Sequence, residues 1–165
     1  MTLIEYADLQ CPACRAYADV MLPVAVNDYA RPGDVRLEFR GLAFLGEDSE
    51  KALRLVLAAG LQNKLWNLQE ALYRNQGAEN SGWVSDELVR SLAGEIGLDA
   101  DLLFEDAESG TVTALMEEDT AQASVDAVRG TPTLFVQVGD AEPYMLNIGL
   151  DPNQLRDALD DALGR

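Results

Sequence analysis

The stretch Asp8-Leu-Gln-Cys-Pro-Ala-Cys14 constrains this chain more than any other. It holds both cysteines of the sequence, with only Pro12 and Ala13 between them. An apolar, strand-like run from Leu3 to Ala7 leads in, and a helical run from Arg15 to Ala30 leads out. A Cys-x-x-Cys where a strand gives way to a helix reads as a redox dithiol. The thiolate is the reactive form, and the unpaired N–H groups at a helix start, with the positive end of the dipole, lower the thiol pKa there. Cys11 falls in the cap region. Pro12 suits the first helical position, where its missing N–H is not needed. Cys14 comes almost one turn later, close enough to attack a mixed disulfide at Cys11. The expected roles follow: Cys11 is the exposed nucleophile and Cys14 the more buried resolving thiol. Arg15 adds a little positive potential.

Glu5 stands in the apolar strand, on the face of Leu3 and Ala7 if alternation holds. An inward carboxylate is costly unless partnered or protonated, so its pKa is expected to rise. It could then take the proton from Cys14 when that thiol attacks. The plainer reading is an edge glutamate facing water; the dithiol favours the relay.

The 165 residues suffice for one domain with a real core. No apolar run approaches a membrane span, and because Met1 leads directly into the first strand no signal peptide is expected within this sequence. Net charge is −17, which argues against nucleic acid or an anionic membrane as partner. There is no histidine, so His-based acid–base catalysis, Ser-His-Asp or Cys-His triads and His-ligated metal are excluded. Two cysteines supply half of a zinc site, so metal would need a dimer sharing two pairs, or carboxylate ligands. The sole intrachain disulfide available closes a tiny loop and would add little stability by chain entropy, which makes a purely structural bridge a poor explanation.

Along the chain, Leu3–Ala7 reads as a buried strand. The next helix carries Cys14, Tyr17, Met21 and Val24 or Ala25 on one stripe, with Pro23 expected to kink or break it. Val35–Arg40 alternates as a second strand, which makes a parallel, right-handed βαβ unit. Helical periodicity then fills Glu47–Gln76 (two helices bending near Gly60–Asn63), a helix capped by Ser85 and ended by Gly97, a short one capped by Asp99 through Phe104, and one from about Thr111 to Val128. Thr133–Val138 and Tyr144–Ile148 form a hairpin. Asp151, Pro152 and Gln154 open the last helix as N-cap, first residue and capping-box partner. The simplest sheet puts the first strand centrally, beside both Val35–Arg40 and Thr133–Val138, with the Cys-x-x-Cys at its carboxyl end.

This order, β-α-β, helical block, β-β-α, resembles the thioredoxin superfamily and specifically its DsbA-like thiol:disulfide oxidoreductases. Four stretches carry the resemblance: Glu5–Cys14 after a strand, the inserted helical block, Leu65-Trp-Asn-Leu-Gln-Glu-Ala-Leu-Tyr-Arg-Asn-Gln76, and Gly130-Thr-Pro-Thr-Leu-Phe135. It implies an α/β thioredoxin-like fold, with residues 1–45 and 129–165 as the thioredoxin-like domain and 46–128 as an inserted helical domain of about four helices. It further implies a cis Thr131–Pro132 bond beside the dithiol, with Thr131's backbone pairing an extended substrate segment and Pro12 and Ala13 completing the substrate-binding surface. Glu5 falls where the superfamily carries its buried carboxylate. No cofactor is implied beyond a redox-active Cys11–Cys14 disulfide.

Two departures matter. The dipeptide is Pro-Ala where the strongly oxidising prototype has Pro-His, so Cys11 is expected to be less acidic than the extreme of about 3.5. The potential is then expected between about −270 and about −120 mV. The strand that usually precedes this motif is missing, leaving Val35–Arg40 as an exposed edge. Trimming from a signal peptide or membrane anchor would explain both absences.

The resulting expectation is an extracytoplasmic, monomeric oxidase of protein thiols, reoxidised by a membrane partner; a cytoplasmic location stays open. The runner-up is a reductase or isomerase using the same residues. Two further rivals are a redox-inert binding or chaperone module and metal or iron–sulfur binding across a dimer.

Overall fold

The computed structural model describes residues 1–165. Its sheet is organised on β1 (Thr2–Ala7), which lies between β2 (Arg36–Gly41) and β3 (Thr133–Gln137); β4 (Tyr144–Met145) follows β3 at the far edge. β1 is central because it can be covered on both faces: Leu3, Ile4, Glu5, Tyr6 and Ala7 are all buried. β3 runs antiparallel to it, with Ile4 opposite Phe135 and Glu5 opposite Leu134. β2 is an edge strand, starting one residue later than expected, and Val35 enters the core instead.

The hairpin's return strand is two residues long, not the expected Tyr144–Ile148. Leu146 N–H still donates to Leu134 O at 2.8 Å. Beyond that point β3 has begun only at Thr133, and Pro132 has no N–H to offer. Leu146 and Ile148 therefore pack against the core rather than extending the ladder.

α1 (Pro12–Val20) stops short of Pro23, as its missing N–H requires. A three-residue helix, α2 (Leu22–Val24), takes Pro23 in its first turn, and a π-helical turn, Ala25–Ala30, follows, closed by Arg31 N–H to Val26 O at 2.9 Å. Tyr17, Met21, Ala25 and Tyr29 stay at four-residue spacing through the break. All four are buried with Leu3, Leu134, Val136, Leu155 and Leu159.

Five helices fill the middle of the chain: α3 (Glu47–Leu61), α4 (Leu65–Arg74), α5 (Asp86–Ile96), α6 (Ala100–Ala107) and α7 (Gly110–Val125). About four were expected; the element capped by Asp99 runs past Phe104 to Ala107 and forms a full helix. Ser85 caps α5 by accepting from Leu88 N–H, and Gly97 ends it at φ 73°, a conformation glycine adopts without steric cost. In α8 (Pro152–Leu163), Asp151 accepts from Asn153 N–H at 2.9 Å. Gln154 does not close the expected capping box. Its Oε1 accepts from Gly149 N–H at 2.9 Å, so it fastens the loop before the helix instead.

The residues pack as two units. One comprises Met1–Ala7, Pro12–Arg40 and Val128–Arg165, the other Asp8–Cys11 and Gly41–Ala127. The chain passes from one unit to the other between Cys11 and Pro12. No helix is long and apolar enough to cross a membrane.

Candidate active site

Cys11 is the residue before α1, and Cys14 lies in its first turn. Cys11 keeps 8% of its surface exposed and Cys14 none, so the expected order of access holds although both are buried. The intervening Pro12 and Ala13 are exposed. Arg15 is also exposed and turned towards Asp19 at 3.8 Å, where solvent screens its charge.

The turn that delivers Cys11 is fixed by polar groups that sequence reasoning did not single out. Asp8 is fully buried. Its Oδ1 accepts from Gln10 N–H (2.8 Å) and the Ser49 hydroxyl (2.6 Å), and its Oδ2 from Phe44 N–H (2.7 Å) and Leu45 N–H (3.1 Å). Four donors offset the desolvation of this carboxylate. Asp8 O accepts from Cys11 N–H at 3.1 Å and from the Tyr73 hydroxyl at 3.2 Å. Gln10 adds a second ring: its Nε2 donates to Ser49 Oγ (3.0 Å) and Asn80 Oδ1 (3.1 Å), and its Oε1 accepts from Asn80 N–H (2.7 Å). The available signal was the pair of polar side chains, Asp8 and Gln10, inside an otherwise apolar turn. Nothing local names Ser49, Tyr73 or Asn80 as their partners.

Glu5 is 2% exposed and faces the interior, not water. It shares a β1 face with Leu3, which packs in the core cluster containing Tyr17. Tyr17, three residues after Cys14 on α1, is 2% exposed, and its hydroxyl has no hydrogen-bond partner. Burial, and next the charge of Glu5, push this phenol well above its ordinary range, so it stays a neutral donor.

The Thr131–Pro132 bond is cis. The Thr133 hydroxyl pins the loop by donating to Gly130 O at 2.7 Å. Pro132 and Ala13 line one cavity of about 320 Å³, with Tyr17, Met21, Leu134 and Ile148 supplying apolar walls. Thus Ala13 and Pro132, distant in sequence, share a surface. Thr131 is partly exposed next to it.

The sequence matches the DSBA-like thioredoxin domain over residues 2–162. The probable disulfide bond formation protein D of Bacillus cereus is 28% identical over 145 residues, spanning 86% of this chain and 67% of that protein. The structure of a thioredoxin-like oxidoreductase from Silicibacter pomeroyi is 33% identical and superposes with a TM-score of 0.76, covering 99% of this chain and 87% of that one. Oxidised BdbD from Bacillus subtilis gives a TM-score of 0.84 over 99% of this chain and 88% of its own, at 21% identity, a likeness of fold. With the motif, the fold and these matches together, the chain belongs to the DsbA-like thioredoxin family of thiol:disulfide oxidoreductases.

Proposed function

We propose that this chain oxidises protein dithiols outside the cytoplasm, using a Cys11–Cys14 disulfide. A substrate thiolate attacks the Cys11 sulfur, a new S–S bond forms to the substrate, and the Cys11–Cys14 bond breaks with Cys14 leaving as thiolate. The substrate's second thiolate then attacks the bridging substrate sulfur and releases Cys11. Two electrons pass from substrate to enzyme, and a membrane partner withdraws them. The observation that carries this reading is the asymmetric access of the two sulfurs at the start of α1: Cys11 retains exposed surface and Cys14 none. The B. cereus relative is named for disulfide bond formation, which favours the oxidising direction.

Pro12, Ala13, Thr131 and Pro132 are the residues proposed to meet substrate. The apolar cavity beside Ala13 and Pro132 would take a side chain of the polypeptide being oxidised. Residues 1–45 and 129–165 are read as the thioredoxin-like domain and 46–128 as the helical insert, because that is where the β-α-β and β-β-α order is interrupted.

Equilibration with glutathione tests the direction. A potential between about −270 and about −120 mV supports an oxidase, and one at or below about −270 mV leaves the reductase reading. Glu5 is proposed as the proton acceptor for Cys14. Glu5→Gln should slow release of a mixed disulfide about tenfold or more near neutrality and flatten its pH dependence. Stopped-flow rates from pH 5 to 9 that match the parent's would remove Glu5 from the mechanism.

A further inference from the structure

We propose that Gln76 is a positioning residue for Cys11, its amide holding the carbonyls on either side of Gln10 so that the sulfur is presented at the start of α1. The inference rests on Cys11 being the nucleophile.

Gln76 Nε2 donates to Leu9 O at 2.8 Å and to Cys11 O at 3.3 Å. Leu9 is completely buried, so its carbonyl needs a protein donor, and Gln76 supplies one. The Gln76 backbone is itself held in place. Gln76 N–H donates to Tyr73 O at 3.2 Å in the turn that ends α4. Gly77 follows, and Trp83 packs against it so closely that an added Cβ would lie 2.5 Å from Trp83 Cβ. Tyr73, one turn earlier, grips the same loop through its hydroxyl bond to Asp8 O. The end of α4 therefore holds the Cys11 turn at three carbonyls: Asp8, Leu9 and Cys11.

The electrostatic consequence is specific to the sulfur. Backbone carbonyl oxygens are partial negative charges, and those nearest Cys11 oppose its ionisation. A donor that engages them weakens that opposition, while an anion in its place would add to it. Gln76 thus does more than fill space. It explains why Leu65–Gln76, whose Leu68 and Leu72 belong to the core, ends in a polar residue turned inward.

The test uses the full chain with Cys14→Ser, in which Cys11 is the only thiol, and follows the pH dependence of iodoacetamide alkylation. Gln76→Glu should raise the midpoint by about one pH unit and slow alkylation about tenfold below it, as expected for one charge placed beside a thiolate. Gln76→Leu should move the midpoint in the same direction by less. Circular dichroism should report the parent's helix content in both. A reactive Cys11 whose midpoint stays put in both variants, even with a lowered melting temperature, makes Gln76 a structural residue only and overturns the inference. A Cys14→Ser parent whose Cys11 is no more reactive than an ordinary thiol overturns the nucleophile assignment beneath it.

Discussion

Cys11→Ser should abolish thiol–disulfide exchange, while Cys14→Ser should still form a mixed disulfide with a disulfide-bearing substrate and stop there. The asymmetry follows from position. Cys11 keeps 8% of its surface open and Cys14 none, so on the proposed mechanism the first sulfur is the one that meets substrate. Without Cys11 no mixed disulfide should form, and the rate should fall by on the order of a thousandfold or more, as for loss of any covalent nucleophile. Without Cys14 the Cys11 thiolate should attack a disulfide of insulin, expelling one insulin thiolate, and the mixed disulfide so formed should accumulate because no internal thiol resolves it. Insulin reduction measures the first effect; mass spectrometry of the trapped adduct measures the second. Thermal stability should change little in either variant, because a disulfide closing so short a loop constrains the unfolded chain weakly. Equal insulin-reduction activity for the parent and Cys11→Ser would return the chain to the class of redox-inert binding modules.

What was legible in the sequence was what the chain decides locally. The thiol pair, the strand before it and Pro12 at the helix start are adjacent in sequence, so their relation needs no tertiary knowledge. The caps at Ser85, Asp99 and Asp151 follow from side chains that satisfy amides two or three residues away. The misses are non-local. Tyr144–Ile148 alternates well enough for a strand, but a ladder needs a partner, and Pro132 ends β3's supply of donors. Gln154 stands at the capping-box position, yet Gly149 N–H competes for its oxygen and wins. The most consequential miss is Asp8. A buried aspartate beside a dithiol is conspicuous, but its partners at Phe44, Leu45 and Ser49 lie more than thirty residues away and carry no signature. Two of the three contribute only a backbone N–H, and the third only a common hydroxyl.

Asp8→Ala should be the most destabilising single change near the site, costing about 3–5 kcal/mol, the range for breaking a buried charged network. The carboxylate is the common acceptor of Gln10, Phe44 and Leu45 N–H and of the Ser49 hydroxyl. Alanine leaves all four donors in a site where the residue they surround has no exposed surface. Each unsatisfied buried donor costs about 1–3 kcal/mol, and water entering the vacated volume recovers part of that sum. Asp8→Asn should fall between, since one amide oxygen still accepts while the NH₂ opposes donors on the other side. Urea denaturation gives the free energies. Hydrogen exchange at Gln10, Phe44 and Leu45 gives the place: their protection should drop first and furthest. An Asp8→Ala protein within about 1 kcal/mol of the parent would mean that these bonds merely exchange for water. Stability and reactivity are linked here through one backbone. Asp8 O receives Cys11 N–H, so the residue that anchors loop 42–45 and the start of α3 also fixes the turn that bears Cys11. Loosening that turn lets Cys11 sample positions away from the helix start, where its thiolate loses the N–H groups that stabilise it. The Asp8 variants should therefore lose exchange rate in the same order in which they lose protection at Gln10.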